Sequence, residues 1–349
     1  MAQRNLEIIK ILGKNRVKPG EPLAKHTTFG VGGPADLFYE AETKEELVTA
    51  VKLARKLKIP FFILGSGSNI LVSDKGLRGL VIKNSVSGMK VVKKLKKPKI
   101  SSQIARARFR TADPQKYLKF SDLNYPDEPL DTEIEVFSGT PLQTLIQWTF
   151  KTKLTGLQWF AGIPGTVGGA VIYNIHGGTR LFSNYVLSLE ILDKNNQLRE
   201  IKKADIEFDY DFSDIFKKDF LILKINLLLS RGNLAKAKHV YQEWGKRKRK
   251  IQPQGNYPGS IFKNFPEETA RKLGAPTPAA GWFIEQCGLK EKKVGKAQIS
   301  SQHANFIVNL GGATAGDVIQ LIELAREEVK KKFGIRLEEE IGLLGFDKI

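Results

Sequence analysis

Apolar residues recur along the chain at two periods, and the alternation between them lays out a mixed α/β plan. From Pro34, ADLFYEA reads as a short apolar strand, TKEELVTAVKLARKLK as an amphipathic helix and IPFFILG as a buried strand. Thr43 and Glu46 have the spacing of a capping box, which predicts the helix start. GLVIKN follows the turn Asp74-Lys75-Gly76 as a further strand. Between Val86 and Glu128 the periodicity is lost. This stretch carries Lys90, Lys93, Lys94, Lys96, Lys97 and Lys99 with Pro98, Pro114 and Pro126, and it predicts an exposed insertion dispensable for chemistry. Pattern resumes at Ile134 with the strand IEVFSG and the helix PLQTLIQWTFKTK, entered through proline. SLEILDKNNQLREI and LILKINLLLS read as strands on either side of FDYDFSDIFKKD. Beyond Gly232 the helical segments AKAKHVYQEWGKRKRK, AGWFIEQCGL and TAGDVIQLIELAREEVKKKFG surround the strand NFIVN. These shifts predict units at 1–85, at 86–230 with a basic insertion at about 86–128, and at 231–349.

A chain of 349 residues exceeds a single core, which agrees with several units. No apolar run approaches the roughly 20 residues of a membrane span, and the polar start does not read as a secretory leader. One cysteine, Cys287, excludes a disulfide framework and a cysteine-rich metal site, so a cytoplasmic protein is expected. His26, His176, His239 and His303 lack metal-ligand spacing, and no metal is expected. The net charge of +19 predicts attraction for anions without choosing among nucleotides, diphosphates and nucleic acid.

Glycine-rich turns follow strands at Gly30 to Pro34, Gly65 to Asn69 and Gly162 to Gly169. Turns of this kind bring backbone N–H groups together and let a diphosphate approach, so the set suggests a cradle for a dinucleotide. Neither standard nucleotide fingerprint is met, since Ile70 stands where GxGxxG needs glycine and no P-loop lysine is present.

The segments HTTFGVGGPADLF, LGSGSNILVSDKGLRGLVI, GLQWFAGIPGTVGGAVIYN and GSIFKN, with the tail from AGWFIEQCGLK to LEEEIGLLG, together resemble the UDP-N-acetylenolpyruvoylglucosamine reductase family, in family order. The resemblance implies an α+β fold, in which a two-subdomain FAD-binding module of the vanillyl-alcohol-oxidase (PCMH) type precedes a smaller α+β substrate domain. It implies non-covalent FAD, NADPH as hydride donor, and a UDP-sugar enolpyruvyl ether as substrate, with no obligate protein partner inferred. Family flavin contacts fall on Leu64, Gly65, Ser66, Gly67, Ser68 and Asn69, and on Gly162, Ile163, Pro164, Gly165, Thr166, Gly168 and Gly169, with Val31 and Asn174 nearby. Ser260 matches the family's proton donor and Glu340 its catalytic glutamate. Lys263 and Asn264 match substrate contacts, and Lys250 stands near the position of a phosphate-binding lysine. Asp211 occupies the place of a family arginine that meets the substrate carboxylate, and Arg180 is the candidate to replace that charge. Two rival readings stay open here: a flavin oxidase of the same superfamily, with His176 as a covalent flavin anchor, and a basic nucleic-acid-binding protein using Arg106, Arg108, Arg110, Tyr117 and Phe120.

Overall fold

The computed structural model describes residues 2–99, 128–178 and 180–346. Helix α1 (Ala2–Leu12) leads into β1 (Val17–Pro22), which pairs antiparallel with β2 (Pro34–Ala41). Helix α2 (Lys44–Lys56) then crosses to β3 (Phe61–Leu64), and β5 (Leu77–Asn84) lies parallel between β2 and β3. Leu47, Ala50, Val51 and Ala54 form one buried stripe on α2 at the i, i+3, i+4, i+7 spacing read from the sequence. Only half of the expected capping box forms. Thr43 accepts from the Glu46 N–H at 3.2 Å, but the Glu46 carboxylate turns to the Glu42 N–H at 2.9 Å and to Arg16 at 2.8 Å.

The second sheet is antiparallel, in the order β11-β10-β14-β7-β6. Its strands are β6 (Met89–Lys99), β7 (Leu130–Phe137), β10 (Val186–Leu192), β11 (Leu198–Lys202) and β14 (Leu221–Leu229). Helix α3 (Leu142–Lys151) packs Leu142, Leu145, Ile146 and Phe150 into the core of this sheet. The existence of β6 corrects the expected insertion, because its first part is sheet. Lys90 and Lys93 stand opposite Glu135 and Glu133 on β7, each at 3.3 Å. Cross-strand charge pairs and backbone hydrogen bonds therefore define a strand that apolar alternation does not reveal. Residues 100–127, including the arginines and aromatics of the nucleic-acid reading, lie outside the described residues.

Helix α5 (Leu234–Ile251) leads to a third core, in which the sheet β15 (Lys293–Val294), β16 (Ala297–Ile299), β17 (Ile307–Asn309) packs against α8 (Ala315–Phe333), the short α6 (Glu267–Lys272) and α7 (Ala280–Gln286) lying between. This core also takes in Phe29, Val31 and Leu71 from the first unit. The last strand, β18 (Gly342–Leu344), returns to pair in parallel with β4 (Ile70–Val72). Among the described residues no helix is long and apolar enough to cross a membrane.

Asp74, in the turn after β4, accepts the Ala315 and Gly316 N–H groups of α8 at 2.8 and 2.9 Å, beside the Thr314 cap. A carboxylate on free N–H groups at a helix start joins capping to the favourable end of the helix dipole. Asp74→Ala should lower unfolding stability by about 1 kcal/mol and Asp74→Asn by less, read as a shift in denaturant midpoint at constant slope.

Candidate active site

Distant parts of the chain wall one cavity of about 1320 Å³. Pockets for single small ligands usually enclose about 300–1,000 Å³, so this one has room for a large ligand with a second beside it.

One wall consists of two glycine turns, residues 64–69 between β3 and β4 and residues 162–169 leading into α4 (Val167–Ile172). The turns touch. The Ser68 hydroxyl donates to the Pro164 carbonyl at 3.4 Å, and a Cβ at Gly65 would stand 2.9 Å from the Thr166 hydroxyl oxygen. Thr166 in turn accepts from the Gly169 N–H at 3.2 Å and starts α4. Gly67, at φ +60°, is needed for a different reason, because its absent Cβ would lie 2.3 Å from the His26 carbonyl oxygen. The Gly30 to Pro34 turn does not reach the cavity. Gly33 backs onto the Asp74 carbonyl and Val31, 2% exposed, belongs to the third core, so two glycine turns rather than three form the wall.

The facing wall comes from the C-terminal unit. The Glu340 N–H donates to the Ile261 carbonyl at 2.8 Å and the Lys263 N–H to the Glu338 carbonyl at 2.9 Å, which lays the tail along GSIFKN. Two residues beyond Glu340, the Gly342 N–H donates to the Asn69 carbonyl at 2.9 Å, tying the tail to the first glycine turn. The tail's acids differ in their partners. Glu339, at the cavity lining, pairs with Arg326 of α8, while Glu340 lines the cavity with Ser260, Lys263 and Asn264. Asn264 also accepts from the Ala280 N–H at 3.1 Å, at the start of α7. Burial, reinforced by the negative charge of Asp211 and opposed by Lys263, pushes the Glu340 carboxyl up to about 8.

A third contribution is a hairpin of β12 (Phe208–Asp209) and β13 (Phe212–Ser213) with Tyr210 and Asp211 at its tip. It sits beside β8 (His176–Gly177), which pairs with β9 (Arg180–Leu181). His176 Nδ1 lies 3.1 Å from Asp211 Oδ1, and its Nε2 lies 3.2 Å from the Tyr210 hydroxyl, with the two rings stacked. Asn174 is fully buried and lies outside the cavity wall; it donates to the Asp209 carbonyl at 2.7 Å and accepts from the Ser183 N–H at 2.9 Å, so it holds the hairpin in place.

Two sequence expectations about charge need correction. Arg180 does not line the cavity; it is 6% exposed, with its guanidinium over the Trp159 ring at 5.7 Å. Lys250 is exposed and points away, whereas Lys248 lines both this cavity and an adjoining one of about 540 Å³. Residues two apart on a helix point in widely different directions, and here the cavity takes Arg247, Lys248 and Ile251 but not Lys250. Burial pushes the Lys248 ammonium down to about 7. The sequence signal that marks Lys248 is helical phase relative to the cavity-lining Arg247 and Ile251, legible only once the helix face is known. Among the described residues no cluster of histidine, cysteine, aspartate and glutamate is arranged for a metal.

The sequence profile of the UDP-N-acetylenolpyruvoylglucosamine reductase C-terminal domain matches residues 252–344, and that of an FAD binding domain matches 35–105 and 118–202. The chain is 33% identical over 338 residues to the UDP-N-acetylenolpyruvoylglucosamine reductase of Caldanaerobacter subterraneus subsp. tengcongensis, covering 96% of each. It is 34% identical over 337 residues to the reductase of that name from Clostridium botulinum strain 657, covering 96% of this chain and 94% of the other. The crystal structure of MurB from Thermus caldophilus superimposes with a TM-score of 0.69 at 29% identity, over 94% of this chain and 99% of that one.

The raised Glu340 carboxyl has a consequence for stability. A carboxyl whose folded pKa lies above its unfolded value is harder to ionise folded than unfolded; the resulting penalty is absent below about 4.5, grows as pH rises towards 8 and is complete above that. Glu340→Gln should therefore melt higher than the parent at pH 8.5, with the gain vanishing near pH 4, in thermal scans of the two proteins side by side.

Proposed function

The chain belongs to the UDP-N-acetylenolpyruvoylglucosamine reductase family, and from that premise we propose that it uses NADPH and FAD to reduce UDP-N-acetylglucosamine enolpyruvate to UDP-N-acetylmuramate, in the cytoplasm, for peptidoglycan synthesis. The observation that carries this reading is one cavity whose walls are a pair of touching glycine turns on one side and Ser260 with Glu340 on the other.

The residues present fit the cofactor. Both glycine turns lie within the matched FAD-binding segments, and their glycines and serines let a dinucleotide approach the backbone N–H groups along this wall. His176 is held by Asp211 at Nδ1 and stacked on Tyr210, an engagement that supports a flavin held without a covalent bond. Bound FAD supplies hydride transfer, taken from NADPH and given to the terminal carbon of the enolpyruvyl group.

The remaining chemistry belongs to the chain. Hydride addition to an enol ether builds negative charge beside the substrate carboxylate, so the site must share that charge and deliver a proton to carbon. Ser260 is the proton donor. Glu340, kept protonated near neutral pH, donates a hydrogen bond to the carboxylate as charge accumulates. Lys263, close enough to Glu340 to oppose its raised pKa, adds positive charge. Asn264 contacts the UDP portion, and Lys248 replaces Lys250 as the contact for the diphosphate, whose charge restores the proton that burial disfavours. Residues 231–341 form the substrate unit and the preceding chain the cofactor unit, with β18 handed back to the latter.

Acid precipitation should release FAD into the supernatant; a yellow pellet would point instead to covalent attachment. Ser260→Ala and Glu340→Gln should still take electrons from NADPH, while reoxidation of the flavin by the enolpyruvyl substrate falls by about 10² to 10⁴ in single-turnover stopped-flow absorbance. Reoxidation of Ser260→Ala at the parent rate would remove serine from the role.

A further inference from the structure

We propose that His176, held between Asp211 and Tyr210, is a substrate-binding residue that receives the carboxylate of the substrate, with Asp211 as its positioning residue. The inference rests on the reaction proposed above and names the group that meets the anionic end of its substrate.

All three side chains line the cavity together with Glu340. Their arrangement is fixed by backbone rather than by chance contact. Asn174 ties the strand end bearing His176 to the hairpin through the Asp209 carbonyl, and Ser213 at the far side of the hairpin donates to the Ile172 carbonyl at 2.7 Å. At the tip Asp211 adopts φ +51°, a left-handed conformation that aspartate tolerates better than most residues. This brings its carboxylate to His176 Nδ1 at 3.1 Å.

A carboxylate on Nδ1 sets the ring's orientation, and the protonated ring presents Nε2–H towards the cavity beside the Tyr210 hydroxyl. Charge balance then points to the ligand. Asp211 acts on Glu340 strongly enough to raise it, so a substrate carboxylate arriving there would meet a like charge. Across the cavity Lys263 faces Glu340, and on the hairpin side the group positioned to balance Asp211 is His176. With the imidazolium in place the pair is neutral towards the substrate and offers Nε2–H and the Tyr210 hydroxyl as donors. Without it Asp211 repels the substrate. The same donors strengthen as negative charge spreads onto the carboxylate during reduction.

The test is calorimetric binding of UDP-N-acetylglucosamine enolpyruvate to the oxidised FAD holoenzyme, with substrate-driven flavin reoxidation measured alongside. His176→Gln keeps a hydrogen-bond donor but removes the charge, and should raise the substrate Kd by about 10-fold, in keeping with the loss of one charge at a partly exposed contact. Flavin reduction by NADPH, which brings no carboxylate to this place, should change far less. The distinguishing result is the double variant: adding Asp211→Asn to His176→Gln removes the unbalanced anion and should recover a large part of the lost affinity. Asp211→Asn alone, a change of one atom, should weaken binding less than His176→Gln and serves as the comparison if the latter folds poorly. A His176→Gln protein with parental Kd, or a double variant weaker than His176→Gln, would overturn the assignment. If the parent holoenzyme binds the flavin but neither binds nor reduces the enolpyruvyl substrate, the reaction itself is wrong and this inference falls with it.

Discussion

The active site depends on a short run of backbone pairing at the end of the chain. Residues 338–344 are laid first along the segment Ile261 to Lys263 and then along β4, by hydrogen bonds from Lys263 to Glu338, from Glu340 to Ile261 and from Gly342 to Asn69. Each of these contacts joins sequence-distant chain, and the last joins the substrate unit to the turn proposed to hold the flavin. This pairing fixes the surroundings of the tail's two acids: Glu339, at the cavity lining, is tied to Arg326, while Glu340 lies within reach of Asp211 and Lys263. A one-residue slip would exchange those surroundings. The cavity is thus assembled by closure, with backbone register fixing where each acid of the tail stands.

The cavity is more evenly charged than the chain as a whole, whose net charge is +19. On the surface single pairs form, as where Lys90 and Lys93 on the edge strand answer Glu135 and Glu133 and Lys44 answers Glu190 at 2.6 Å. Within the cavity, acids and bases are interleaved instead. Glu340 is pushed up by burial and by Asp211, while Lys248 is pushed down by burial. Groups moved in this way sit nearer to neutrality in protonation, which suits the roles proposed for the Glu340 carboxyl as a donor and for the Lys248 ammonium as a diphosphate contact.

Much of the fold was legible because its elements bury a single face. The stripe on α2 and the apolar run of β14 are patterns that only one secondary structure satisfies. Strand β6 was hidden because Val91 and Val92 are both exposed and its lysines pair across the strand rather than into a core. The glycine turns were found as a group, but sequence could not separate Gly67, needed for close packing, or the turn around Gly33, from those lining the cavity. Ser260 and Glu340 were read from family segments, and their shared cavity follows from the tail register, which no local pattern encodes. Lys248 was missed in favour of Lys250 because the helix phase depends on tertiary packing, and Arg180 was favoured over His176 because formal charge is visible in sequence while an Asp–His contact is not.

The measurement closest to the centre of this account is an anaerobic titration of the parent protein followed through flavin absorbance. NADPH should bleach the flavin band, and one equivalent of UDP-N-acetylglucosamine enolpyruvate per flavin should restore it with formation of UDP-N-acetylmuramate. A bleached flavin that ignores the enolpyruvyl substrate and recovers only when oxygen is admitted would contradict the account.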